Sequence, residues 1–313
     1  MVDDKEGSGR LSRREFLKAG AAAGAFALVA GALPEVVWAA DGTRPDLSGL
    51  RDLINPYDVA VGPDGATYVA NAGRYGVVKV AGGRSAYLGD GPGTAPGRLN
   101  FPMGVDVAAD GAVFVADTNN GRIQVFDAEG ELSRTFGRLG YLDGEFLRPK
   151  SVRCYDGGVL VADTRNHRIQ YVDLKSSRLV SGEPVTRAML GGLGEDPADL
   201  KLPRYVTAGP DGNVYVADAG HAVVKVYSLN DGFLGTLGAG DFAEPAGIAV
   251  AADGRVFVAD AGTAQVFAYD NNGRKAGAVS GFKGLKGPRG LAWAEGVLLV
   301  ADPKAATVFM VEV

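Results

Sequence analysis

The chain carries two histidines, and both follow the same three letters: His167 in VADTRNHRIQYVD and His221 in VADAGHAVVKVYS. Two imidazoles placed alike are either two arms of a metal site or one structural position read twice. A catalytic zinc takes three protein ligands and an open fourth position. Two histidines therefore need a carboxylate to complete a centre, and Asp58 and Asp106 are the acids placed to supply one. The repeat reading is simpler. With one residue of slack, His167 and His221 fall at one site of successive copies, and the copy before them holds Gly121 there. A position that accepts glycine does not require an imidazole, so a structural role is preferred; if the sector binds anything, the two rings lie at its outer rim. The single cysteine, Cys154 in SVRCYDGG, cannot form an intramolecular disulfide and reads as a buried, inert thiol on a strand.

Other chemistries lack their signatures. There is no nucleophile elbow, no haem motif and no dinucleotide fingerprint. The glycine-rich loops lack the Gly-Lys-Ser/Thr ending and a following helix, so they do not read as phosphate cradles. A net charge of −5 argues against a dedicated nucleic-acid binder.

The elements that must position these residues repeat. VAN ends at Asn71, and VAD ends at Asp117, Asp163, Asp218, Asp260 and Asp302, in steps of 46, 46, 55, 42 and 42 residues. Periods of this size mark copies of one supersecondary unit. Each copy opens at a proline (Pro56, Pro102, Pro149, Pro203, Pro245, Pro288). A short strand, a turn that is usually Asp-Gly, a β-branched strand, a loop and two further strands follow. Four short antiparallel strands per copy make a propeller blade, and six copies predict an all-β, six-bladed β-propeller. The sixth copy stops after its third strand, TVFMVEV. DGTRPDLSGL, residues 41–50, is expected to supply its missing strand and close the ring without an open edge.

The lettering of PMGVDVAADGAVFVADTNNGRIQVFDAEG (Pro102–Gly130) resembles an NHL repeat. The resemblance runs through all six copies and is strongest in the second and third. It implies the six-bladed fold. Some propellers of similar type are enzymes: amidating lyases with a histidine-bound zinc, and lactone hydrolases with a divalent ion held by carboxylates and an asparagine.

The amino terminus reads differently. SRREFLK (Ser12–Lys18) precedes the small apolar run Ala19–Leu33, then Pro34 and a Val37-x-Ala39 exit. The paired Arg13-Arg14 with Phe16, Leu17 and Lys18 resembles the twin-arginine export signal. The run is short for a membrane span. The expected organisation is a signal over residues 1–39 and a propeller over 40–313, exported to the periplasm or beyond, monomeric, with no membrane span once the signal is removed.

Strand direction places the loop before each opening proline and the loop after each VAD at one end of the ring. Those loops are the longer and more varied, so binding is expected there. The residues after the opening prolines should line that mouth: Tyr57, Met103, Lys150, Arg204, Ala246 and Arg289. Three cations at one opening favour an anionic ligand. Tyr205, next to Arg204, and the two histidines complete the candidate set. Asp106 and Arg153, at equal height on adjacent blades, are expected to pair. The repeated VAD aspartates read as loop caps, with Arg122 and Arg168 paired to them. The sequence thus favours an exported, non-catalytic propeller that binds an anionic small molecule or an acidic protein segment, with no cofactor assigned. A metal-dependent hydrolase or lyase with a divalent ion in the channel, and a subunit of a larger exported complex, are the alternatives.

Overall fold

The computed structural model describes residues 45–174 and 185–313. The signal-like segment lies outside them. Six antiparallel sheets are arranged in sequence order; five have four strands and the last has three among the described residues. The inner strands are Pro56–Val61, Gly104–Val107, Pro149–Tyr155, Pro203–Ala208, Pro245–Val250 and Leu291–Ala294. Each touches the next, and the last touches the first, so the ring is closed.

The second strands, such as Val113–Asp117 and Val256–Asp260, are buried along their whole length. They have a blade on either side, which is why both faces are apolar. The core accordingly consists of six clusters, one in each seam between neighbouring blades. The inner strands approach so closely that some positions admit no side chain. A Cβ on Gly247 would lie 2.0 Å from the Arg289 carbonyl oxygen, and one on Gly290 would lie 2.5 Å from the Asp58 Cα. The Asp-Gly turns form as the sequence suggests. Gly65, Gly111, Gly212 and Gly254 have positive φ, and the aspartate before each accepts the N–H two residues on.

The expected closing segment is described only from residue 45. Residues 41–44 fall outside the described residues, and 45–50 form no strand beside the last blade. Pro45 has no N–H to give a ladder. Asp46 turns the chain back on itself, taking Ser48 N–H at 2.8 Å and Gly83 N–H at 2.5 Å. The segment then runs along the seam between blades six and one, where Leu47, Leu50 and Leu53 pack against the cluster containing Val80, Leu299 and Val308. Among the described residues it covers the seam with side chains. No helix among the described residues is long and apolar enough to cross a membrane.

Candidate functional site

Every inner strand runs the same way along the axis, so their starts ring one mouth and their ends the other. At the starts, Arg204 Nη1 lies 2.6 Å and Arg289 Nη1 lies 3.1 Å from the same Glu244 oxygen. Burial pushes the Glu244 pKa up, but Arg289 and Arg204 together hold it below its ordinary value. Lys150 has no carboxylate within 4.0 Å among the described residues. Burial, then the fields of Arg204, Arg289, Arg148 and Arg165, bring its pKa down to about 8. Arg204 is likewise lowered by burial and by Arg289, and its Nε is buried without a partner. Tyr57 stands at the same level, its ring 5.8 Å from that of Phe101. Four of the expected mouth residues are therefore brought together: Tyr57, Lys150, Arg204 and Arg289. Arg148 and Arg165, both exposed, extend the positive field outward.

Tyr205 does not join them. It is buried, and its hydroxyl is directed at Asp58 Oδ1 (2.8 Å) and the Leu291 carbonyl (2.9 Å). The reason lies in the channel. Arg153 does not pair with Asp106; it reaches across to Asp58, with Nη1–Oδ2 at 3.0 Å and Nη2–Oδ1 at 2.9 Å. Its guanidinium stacks 4.3 Å from the Tyr205 ring centre and donates to the Val105 carbonyl. Asp58 also takes N–H groups from Val59 and Val105. Burial raises the Asp58 carboxyl to about 6 against these donors. The cluster joins blades one, two, three, four and six, and its three side chains, all buried, fill the channel between the two mouths.

Beyond this plug, at the strand ends, is a cavity of about 610 Å³. Asp106, Arg153, Thr207, Phe114, Ile248 and Trp293 are among its lining residues. Asp106 Oδ2 accepts Cys154 N–H at 2.7 Å. Burial raises the Asp106 pKa, opposed by Arg153. Cys154 is half-buried on the wall rather than fully buried, and burial together with Asp106 pushes its thiol well above the ordinary range. It is a poor nucleophile at neutral pH. Sequence reasoning placed all binding at the other end. The hint was there: where other blades carry glycine or serine, blades one and four carry Asp58 and Tyr205.

The VAD aspartates are loop caps. Asp117, Asp163 and Asp218 accept N–H from Asn100, Leu147 and Lys201, each at 2.7 Å. Arg122 and Arg168 pair with Asp117 and Asp163 at 2.8 and 2.9 Å. Asn71, the departure in blade one, accepts Ile54 N–H in the same way.

The two histidines are not equivalent. His167 has φ of 56° and closes a 3-10 turn, and the matching residues are Tyr75, Gly121 and Ala222. His221 sits one position earlier. Its Nδ1 lies 2.6 Å from Asp218 Oδ2, the contact that Asn120 and Asn166 make with Asp117 and Asp163 at 2.8 Å. His167 Nδ1 instead accepts Leu202 N–H at 3.1 Å. The one-residue slack assumed from the sequence hid this, because only the backbone conformation marks the register. Among the described residues no three His, Cys, Asp or Glu side chains converge as metal ligands.

Comparison with known proteins agrees with this architecture. The NHL repeat profile matches residues 99–126 and 242–269. A stretch of 60 residues, 19% of the chain, is 45% identical to protein brain tumor of Drosophila melanogaster and spans 6% of that protein. Among solved structures, a streptogramin B lyase superposes with a TM-score of 0.61 at 12% identity, over 85% of each chain. A chain of a nidogen/laminin complex superposes with a TM-score of 0.57 at 16% identity, over 76% of this chain and 86% of that one. At such identities the likeness is one of fold. The two matched repeats fall on blades two and five.

Proposed function

We propose that this protein is an exported binding propeller whose basic mouth takes an acidic peptide segment of a partner protein. One observation carries the reading: Lys150, Arg204 and Arg289 converge on the mouth with only Glu244 opposing them there, and Lys150 has no carboxylate within 4.0 Å among the described residues. A concave positive surface concentrates negative charge, and a carboxylate entering it relieves the crowding of like charges. A peptide fits better than a free anion because the same face exposes Leu139, Tyr141, Leu142 and Leu193 on its long loops. Exposed apolar groups beside a charged pocket are what a peptide's side chains need. Export rests on Arg13-Arg14 and the apolar run that follows.

The test is titration of the purified chain with a fluorescent peptide of alternating glutamate and leucine, beside its glutamine counterpart. The acidic peptide should bind, salt should weaken it, and Lys150→Ala, Arg204→Ala and Arg289→Ala should each cost about tenfold. Glu244→Gln should tighten binding. Equal binding of the two peptides sinks the reading. Export is tested separately by fusing residues 1–40 to a reporter. Replacing Arg13 and Arg14 by lysine should leave the reporter in the cytoplasm.

A further inference from the structure

The cavity at the strand ends has no part in the reading above. Its volume of about 610 Å³ falls within the roughly 300–1,000 Å³ of small-molecule sites. The plug of Asp58, Arg153 and Tyr205 separates it from the basic mouth. Its charge is also opposite. Arg153 is the one cation among its lining residues, and both terminal nitrogens of that guanidinium are held by Asp58. The pair is neutral as a unit. What remains is Asp106 on the wall, with the exposed Asp110 and Asp156 at the rim. Asp106 has no cation within 4.0 Å among the described residues. Around it the walls are apolar and aromatic, with Phe114, Ile248 and Trp293.

We propose that this cavity is a second ligand site, for a small organic ammonium ion with an apolar body. The head group pairs with Asp106 and the body packs against Phe114, Ile248 and Trp293. A carboxylate set among apolar walls is costly to keep ionised, and a bound cation offsets that cost. An anion meets the carboxylates of Asp106, Asp110 and Asp156, while Arg153 is already paired with Asp58. Aromatic faces favour a cation further. The closed floor limits the ligand to a molecule that enters from the Asp-Gly turn end.

Trp293 reports directly on occupancy. The only other tryptophan is Trp38, so Trp38→Phe in the full chain leaves Trp293 as the sole indole. This chain is titrated with 2-phenylethylamine, cyclohexylmethylamine and benzyltrimethylammonium, beside 2-phenylethanol and 3-phenylpropanoate, by fluorescence and by calorimetry. At least one amine should bind saturably at one per chain, while the alcohol and the acid bind at least about tenfold more weakly. Asp106→Asn keeps an acceptor for Cys154 N–H and should weaken the amine by about tenfold or more. Lys150→Ala should leave the amine unaffected, which separates this site from the basic mouth. Absence of saturation with all three amines, equal binding of the alcohol, or amine affinity unchanged in Asp106→Asn overturns the proposal. Should Asp106→Asn fail to fold, Ala292→Leu narrows the cavity without altering a charge. Amine binding that survives this substitution also overturns it.

Discussion

Asp58 occupies a place where three of the six blades carry Gly104, Gly247 and Gly290. Its carboxylate is fully buried, and five groups converge on it: two Arg153 nitrogens, two backbone N–H groups and the Tyr205 hydroxyl. Removing the charge leaves the Arg153 guanidinium buried without its counter-ion. Asp58→Asn should therefore destabilise the fold by about 3 to 5 kcal/mol in urea unfolding. Adding Arg153→Met should recover much of the loss, because it removes the stranded charge. An Asp58→Asn chain as stable as the parent would show that the plug is not held by this pair. Lys150 gives the other prediction at this scale. Its ammonium, lowered to about 8, is present below that pH and lost above it. Affinity for the acidic peptide should fall between pH 7 and pH 9, and Lys150→Arg should hold it constant across that window. The types of these residues were legible as departures from a repeat. Their partners were not. Equal height on adjacent blades suggested Asp106 for Arg153, whereas the long side chain crosses the channel to a blade that linear spacing does not mark as near.

Within one blade, the repeated grammar of proline, Asp-Gly turn and VAD strand was readable because each letter has a local job. The glycine supplies a positive φ, the aspartate caps a loop, and β-branched residues fill a seam between sheets. What failed was register inside the loop after VAD. His167 and His221 looked alike, yet His221 performs the task of Asn120 and Asn166 by meeting the buried carboxylate of its own blade. An asparagine should serve equally there. His221→Asn should stay within about 1 kcal/mol of the parent, since it restores the amide–carboxylate contact of the neighbouring blades. His221→Val should cost about 1 to 3 kcal/mol, because Asp218 Oδ2 then loses a hydrogen bond that Lys225, 3.3 Å away, replaces only in part. Chemical unfolding of the two variants side by side decides the matter. If the asparagine and valine variants behave alike, the imidazole has no capping role.

At the scale of the whole ring, the molecule has a positive mouth, a plugged waist and a negative mouth, and one of its six seams differs in how it is built. Five seams are formed by blades continuous in sequence. The sixth joins blade one to a blade of three strands among the described residues, and Leu47, Leu50 and Leu53 cover its cluster. The clipped sixth copy made a closing segment legible in the sequence, but not which side chains it would lay on the seam. Among the described residues, Asp46 accepts N–H groups from Ser48 and Gly83, and the leucines that follow cover the seam. The three leucines are partly buried, so replacing each by alanine should cost on the order of 1 to 2 kcal/mol, below the 2 to 5 kcal/mol of a fully buried leucine. Because they share one cluster, the triple variant need not equal the sum of the singles. Their effect should also be local. Hydrogen exchange should quicken first in Thr307–Glu312 and Arg84–Leu88, the outermost strands of the two blades flanking the seam, before Val214–Asp218 on the far side of the ring responds. Leu139→Ser and Leu193→Ser, on exposed loop tips, are the controls and should leave exchange there unchanged. Uniform acceleration in all six blades would mean that the ring opens as one cooperative unit and that the leucines are not a latch on a single seam.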